Sequence, residues 1–451
     1  MSFVLSASMF FPRGGSATVA RALARRLPDH GWDATVVSGS LPGHGDAERF
    51  YAGLDVHPVC FEPHGDTPLH PSFEDRDDAG DGIFAALGED EFERHVAAWA
   101  GHLEAAGAAD ADVLHLHHLT PINEAARRVA PDVPVVAHLH GTELLMLERI
   151  ADGAPQSWKH ADVWAERLRD WAQAAHTVIV PSRPQLPRVE RLLSVDLERC
   201  VVLPNGVDVA LFDRVEVDRA EHWRRHLVDD PHGWEPGADE GSIRYAAADA
   251  RRVAAHPVVL YVGRFTEVKR LGLLIEAWSA AEDRLRCPAS LVIVGGHPGE
   301  WEGEHPAETI RRTGADHVYL AGWQSQEELP AFLAAADALV LPSVREQFGL
   351  VVVEAMACGV PPIAVDRFGP REIVEDGRTG WLVEPDDAAA LTAALVEVVD
   401  DPDERRARGR SAHQTARERY SWDTVAETLA GVFDDTGGHA TQQDGARTVA
   451  A

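Results

Sequence analysis

A chain of 451 residues with 45% apolar side chains is globular and too long for one ordinary core, so two or three domains are expected. Its formal charge of −31 argues against nucleic acid and anionic membranes as partners, and a phosphate ligand must find a local positive site against that background. No apolar stretch reaches the roughly 18–20 residues of a membrane span, and four scattered cysteines (Cys60, Cys200, Cys287, Cys358) show neither disulfide nor zinc spacing, which suits a reducing cytoplasm.

The opening "MSFVLSASMFF" lacks a basic n-region, so its apolar run reads as a first strand rather than a signal peptide. In chain order, β-branched runs at 3–6, 34–38, 112–117, 133–139, 177–181 and 200–203 predict the strands of a first half. Those at 257–263, 290–295, 317–321, 338–341, 361–364 and 381–384 predict the strands of a second. Many, such as "VVLYVG" and "SLVIVGG", are continuously apolar, the mark of parallel strands covered on both faces. Alternation with helical stretches predicts an α/β fold of two Rossmann-like, doubly wound parallel-sheet domains. The first spans 1–204 and the second 205–420, with the turn chemistry of Asn205–Gly206 at the boundary. Such a pair leaves a cleft, and ligands of α/β sheets sit at the carboxyl ends of strands.

Two irregular stretches interrupt the pattern. Residues 62–82 predict a loop able to cover a site, and 226–255 an acidic surface insertion. A last helix over 421–435 starts with Ser421 as N-cap, and the small polar residues 436–451 predict a disordered tail.

In "FFPRGGSATVARALARRL" (10–27), Gly14–Gly15 between a strand end and a helix allows a ligand close to backbone amides. The stretch fails the G-x-G-x-x-G pattern, so a nicotinamide enzyme is not supported. The D-x-D of "ADADV" (109–113) precedes a strand instead of ending one and is discounted. Two strands end in histidines, "HLHHLT" (115–120) and "HLHGTE" (138–143), with His115 and His117 on one face, as are His138 and His140. Four imidazoles suggest a metal site, but the pairs are also what polar strand ends facing a cleft would show. His140, before Gly141 and Thr142, is the best single candidate for touching a substrate.

The second half carries cations. "VVLYVGRFTEVKR" (258–270) runs from a buried strand into Gly263, Arg264 and Lys269. Five residues separate the two cations, and a curled loop sets both heads on one anion. With only Lys159 and Lys269 as lysines in the chain, this pair is the best diphosphate clamp available. In "PSVREQFGLVVVEAMACGVPPIA" (342–364), a strand, a loop and a helix opening near Gly349 follow one another. First-turn amides around Gly349, Leu350 and Val351 lack helical partners and present positive potential. Glu346 in the loop accepts from ligand hydroxyls, while Glu354 lies inside an otherwise apolar helix. Burying a carboxylate there costs several kcal/mol unless something pairs with it. A vicinal diol such as that of ribose offers two matching hydrogen bonds; a neighbouring backbone group or arginine is the bland alternative.

Together these strings resemble the retaining GT-B glycosyltransferases of family 4. "PRGG", "HLHGTE", "VIVPS", "VVLPNGVD", "GRFTEVK", "LVIVGG", "AGWQSQEELP", the run 342–364 and "GPREIVEDGRTGWLVEP" follow the family's order over about 1–435. The resemblance implies that Arg264 and Lys269 bind a donor diphosphate and that Glu354 holds the ribose. It implies that Glu346, with the amides of Phe348, Gly349 and Leu350, grips the transferred sugar. His140 would contact that sugar, Gly15 would lie beside the diphosphate and acceptor, Trp323 would lie against the base, and the strand-end glycines Gly263 and Gly295 complete the donor set. His117, His118, Thr120 and Thr142 stand as acceptor residues, although "HHLTPIN" is not a common family string. The final helix would cross back to the first domain.

The implied activity is metal-independent, retaining transfer from a nucleotide-sugar, by family base rate a UDP-sugar, to a small soluble cyclitol, aminocyclitol, sugar or thiol. No metal and no cofactor beyond that co-substrate is expected, and the cytoplasm is the expected location. Partners are the donor, the small acceptor and a second copy in a homodimer, with no nucleic acid and no membrane insertion. Two other readings stay open: a nucleotide-sugar sensor without turnover, and a metal-dependent hydrolase using the His115, His117, His138 and His140 strand ends. A phosphorylase with pyridoxal phosphate on a lysine is poorly served by two lysines.

Overall fold

The computed structural model describes residues 1–12, 14–74 and 82–448, with side chains to residue 437. Arg13, residues 75–81 of the expected loop and 449–451 of the expected tail lie outside the described residues. The chain divides into two compact units, Met1–Asn205 with Trp422–Ala451, and Gly206–Ser421.

The first unit holds a seven-stranded sheet in the order β3-β2-β1-β4-β5-β6-β7. Its strands are β1 Ser2–Ser8, β2 Trp32–Ser40, β3 Asp55–Cys60, β4 Val113–His117, β5 Val135–His138, β6 Thr177–Val180 and β7 Cys200–Val202. Every pairing is parallel, and the register sets Ser8 beside His117 and His117 beside His138. Alternation sends successive residues to opposite faces. Leu5, Leu114 and Ala137 enter one core; Val4, Val113 and Val136 enter the other. By that parity Ser6, His115 and His117 point to the second face, where the terminal helix packs.

That helix runs Trp422–Thr448 and belongs to the first unit. Phe433 stacks edge-on against Trp32 with ring centroids 5.2 Å apart, and the Trp32 indole donates to Asp434 at 3.1 Å. The expected disordered stretch from 436 is corrected: helix continues to Thr448, and Thr436 is buried and hydrogen-bonded to Thr177 at 3.1 Å. Val432, Phe433 and Thr436 continue the helical spacing one turn past where the composition turns polar. The missed strand is β3. Its "DVHPVC" carries a proline and polar residues because it is an edge strand, paired on one side only.

The second unit holds a six-stranded parallel sheet in the order β10-β9-β8-β11-β12-β13. The strands are β8 Val258–Val262, β9 Ser290–Val294, β10 Val318–Gly322, β11 Ala338–Leu341, β12 Pro362–Val365 and β13 Trp381–Val383. Residues 226–255, expected as a surface insertion, are instead part of this unit's core. Trp234 is 1% exposed, stacks on Phe265 at 5.8 Å and donates to the Gly296 carbonyl at 3.3 Å. Tyr245 accepts the Leu320 amide at 2.8 Å, covering an edge of β10 that would otherwise present unpaired N–H groups. Polar composition hid this role because the stretch works through two aromatic residues and its backbone.

Candidate functional site

In the second unit the carboxyl ends of the central strands are built for close backbone approach. Gly295 has φ 125°, and a β-carbon there would sit 2.0 Å from the Gly263 carbonyl oxygen. Only glycine allows the ends of β8 and β9 to meet so tightly. Arg264 follows on the exposed side, its carbonyl accepting the Tyr261 hydroxyl at 3.0 Å. Among the described residues no carboxylate pairs with the Arg264 guanidinium.

Two loops then converge. The Val344 amide and the Ser343 hydroxyl both donate to the Val268 carbonyl, at 3.0 and 3.3 Å, pinning the loop after β11 to the loop after β8. Their neighbours Lys269 and Glu346 consequently meet in an ion pair, with side chains 18% and 20% exposed. The cation expected on phosphate and the carboxylate expected on sugar hydroxyls are thus each other's partners before a ligand arrives. A ligand bearing phosphate and hydroxyls replaces one interaction with two, so the pair costs little to open.

Gly349, at φ 107°, is the N-cap of the helix Leu350–Ala357. That left-handed conformation turns the chain from the loop of Glu346 into the helix and leaves first-turn amides without helical acceptors. Phe348 is buried against Tyr420 at 6.1 Å, and Gly369 donates its amide to the Glu346 carbonyl at 3.2 Å, holding the loop's path. Glu354 is buried, and its burial pushes its pKa up to about 7, moderated only by a hydrogen bond to Gln326. Among the described residues no cation compensates it. A group that is half neutral near pH 7 and lacks a charged partner is poised to take hydrogen bonds from an incoming ligand. Trp323 is 44% exposed, unusual for so large an apolar ring, and lies 5.0 Å from the His297 ring at 30°.

In the first unit Gly14 and Gly15 open the helix Gly15–Arg26 and are exposed, and a β-carbon on Gly14 would meet nothing within 4 Å. The histidine strands are assembled by the parallel register. His115 Nε2 lies 3.1 Å from His138 Nδ1, and His117 Nδ1 lies 3.0 Å from His140 Nε2. Ser6 Oγ sits between them, 3.5 Å from His115 Nδ1 and 3.2 Å from His117 Nε2. Burial, reinforced by the neighbouring imidazoles, holds His115, His117 and His140 well below the usual histidine pKa and His138 at about 3. These rings are neutral at pH 7.

His117 and Thr120, expected as acceptor residues, are 1% and 0% exposed, and His117 commits both nitrogens to Ser6 and His140. His118, at φ 66°, is also buried, with Nδ1 3.5 Å from a carboxylate oxygen of the buried Glu143. Burial alone would raise the Glu143 pKa; the neighbouring His118 and the hydrogen bond from the His140 amide outweigh it and hold it low. Half-buried Thr142 donates to Glu143 at 3.3 Å, and His140 remains half-buried at the end of the cluster. Three of these rings, His115, His117 and His138, bring a nitrogen each within 4.8 Å of one another, a spacing that a metal ion could use. Sequence reasoning missed Glu143, Ser6 and Gln326. Ser6 did leave a signal, a polar residue at alternate spacing in an apolar strand.

Among the described residues no helix is long and apolar enough to cross a membrane. The pattern described as Glycosyltransferase Family 4 matches residues 13–211, and that described as Glycosyl transferases group 1 matches 248–415. The glycogen synthase of Mycobacterium tuberculosis is 31% identical over 331 residues, 71% of this chain and 68% of that one. Over the first relatives matched, the alignments span 65% to 71% of the relatives' length. A D-inositol 3-phosphate glycosyltransferase of Acidothermus cellulolyticus is 27% identical over 448 residues, 94% of this chain and 86% of that one. Among solved structures, Anabaena HepE in complex with UDP and glucose superposes with a TM-score of 0.66 at 20% identity, covering 96% of this chain and 99% of that one.

Proposed function

Because the chain belongs to the family 4, group 1 glycosyltransferases and has their GT-B fold, we propose that it moves a sugar from a UDP-sugar to a small soluble acceptor with retention at the anomeric carbon. The observation that carries this reading is the convergence of Arg264 and the Lys269–Glu346 pair on one sheet edge, beside the first-turn amides of Leu350 and Val351. Arg264 and Lys269 take the diphosphate, and Lys269 releases Glu346 to the hydroxyls of the transferred sugar. Glu354 takes the ribose diol, and exposed Trp323 with His297 offers a ring face to the base. His140 is the residue of the first unit assigned to the transferred sugar, with Gly15 on the acceptor side.

The step breaks the bond between the anomeric carbon and the phosphate oxygen and forms one from that carbon to the acceptor oxygen or sulfur. The acceptor proton goes to the leaving phosphate oxygen, on the same face. Charge growing on the diphosphate is stabilised by the two cations and the helix amides, fixed in place before reaction. Glu346 and Glu354 act here as binders, unlike the acid and nucleophile of a retaining glycosidase. UDP as the nucleotide is supported by the complex named for HepE, and a cyclitol-like acceptor by the relative named for D-inositol 3-phosphate.

The test pairs two variants with two assays. Glu354→Ala weakens UDP binding by about tenfold, the value of one hydrogen-bond pair, whereas Glu346→Ala keeps UDP affinity and loses transfer. Equal loss of UDP affinity in both contradicts the separate roles. The spacing of His115, His117 and His138 favours one competing reading, metal-dependent hydrolysis; turnover of a nucleotide-sugar that persists in EDTA rejects it. UDP binding with no turnover of any donor would mark a sensor.

A further inference from the structure

The polar groups on the second face of the first unit form a single file. Its order is His138, His115, Ser6, His117, His140, joined at 3.1, 3.5, 3.2 and 3.0 Å. His138, His115 and His117 are each 1% exposed and Ser6 3%, so water does not break the file. Phe433 of the terminal helix covers His115 at 5.3 Å.

Proton counting constrains this file. A neutral imidazole carries one N–H and one bare nitrogen, and a serine hydroxyl has one proton. Four contacts among five such groups need one proton each. Among the described residues the Ser6 hydroxyl has no partner besides these two rings, so it donates to one ring and accepts from the other. All four bonds therefore run in the same sense, and turning one imidazole over turns them all.

The two senses differ at the ends. Donation away from His140 would leave His138 Nε2–H as a buried donor with no partner; donation toward His140 leaves only a bare nitrogen there. Orphaned buried donors are the rarer of the two in folded proteins. The geometry points to a tautomer relay: Ser6, His115, His117 and His138 are positioning residues that fix His140 with its proton on Nδ1, so that it offers a hydrogen-bond donor to a substrate hydroxyl. Its role toward substrate rests on the transferase reading given above; the tautomer does not. The other ionisable groups facing the end of the file are His118, whose ring lies 4.5 Å from that of His140, and Glu143, 3.5 Å from His118. Glu143 spends its oxygens on the His140 amide, Thr142 and the His118 side, leaving the His140 ring to be set by His117. A donor that stays neutral binds a hydroxyl without drawing the diphosphate toward it, which an imidazolium would do.

The full-length protein labelled with 15N-histidine reports the tautomer directly by long-range 1H–15N correlation, His140 being identified as the signal lost in His140→Gln. The expected result is one His140 species protonated on Nδ1. Ser6→Ala cuts the file in the middle, and should leave His140 as a mixture of both tautomers while kcat falls about three- to tenfold and the donor KM stays. Ser6→Thr restores the hydroxyl, and with it the single tautomer. His140 protonated on Nε2, or a tautomer indifferent to Ser6→Ala, overturns the relay. So does one equivalent of a divalent metal in the purified protein that is lost in His138→Gln, since ligation would use the nitrogens the file needs. If the labelled protein shows the Nδ1–H tautomer but His140→Gln transfers sugar normally, the relay stands and the assignment of His140 to the sugar fails.

Discussion

Glu354 and the histidine file are both ionisable groups buried near the carboxyl ends of parallel strands, but they are accommodated in opposite ways. The histidines satisfy one another: each ring finds a nitrogen or hydroxyl within 3.5 Å and stays neutral. Glu354 has only Gln326, and its pKa rises to about 7. A polar cluster that closes on itself is structural and can set the orientation of a terminal member. One that is left open is suited to a ligand, so the position of the unmet demand points to the proposed donor site better than the number of polar residues does. Four histidines drew attention in the sequence, whereas one glutamate in an apolar run marked the more open chemistry.

The contrast breaks most sharply at Lys269. If the cations stabilise the departing diphosphate, Lys269→Ala lowers kcat by about 10²–10³-fold, the scale for losing one fixed charge-stabilising group. It also leaves Glu346 without its partner, yet that carboxylate is only partly buried, so thermal stability changes little. Steady-state transfer assays beside a melting curve check both halves. A variant that melts early with kcat unaffected would make the pair structural.

The histidine file predicts instability in acid. Unfolded histidines bind protons near pH 6.5, and the four rings of the file stay neutral in the fold, so the stability they share is present above 6.5 and is lost as pH falls below it, for His138 down to about 3. With four rings titrating only on unfolding, the loss approaches about 5 kcal/mol per pH unit. Hydrogen exchange of the β4 and β5 amides at pH 7 and 5.5 reads it in the first unit alone. His138→Gln should shallow the slope by about one proton; an unchanged slope would mean that the rings are protonated within the fold.

Much of this architecture was legible because a parallel strand covered on both faces must be apolar throughout, as "VVLYVG" and "SLVIVGG" are. β3 was not, since an edge strand escapes that demand. Nor was the role of 226–246, where Trp234 and Tyr245 act across the chain on Gly296 and Leu320. The same limit governs the site. Arg264, Lys269, Glu346 and Glu354 stand in one dimension as charged residues after strands, but the Lys269–Glu346 pair depends on Val344 and Ser343 binding Val268. Likewise, the spacing of His115 and His117 shows a shared face, while their link through Ser6 exists only once the register of β1, β4 and β5 is set.

The smallest effect, and the one that sharpens the comparison most, is the alkaline counterpart at Glu354. Its folded pKa is raised from 4.5 to about 7 by burial, so below pH 4.5 the carboxyl is neutral in both states and costs nothing. Between 4.5 and 7 the unfolded chain ionises first, and above 7 the folded protein carries the whole penalty, on the order of 3 kcal/mol. Glu354→Gln keeps the shape without the charge and should raise Tm at pH 8, by a few degrees for a unit this size, with no gain at pH 4.5. Saturating UDP should narrow the gap at pH 8 if, as proposed, ribose hydroxyls supply to the carboxylate the hydrogen bonds that the unliganded helix lacks. Equal gains at both pH values would show that shape rather than charge limits the site, and would remove Glu354 from the ribose.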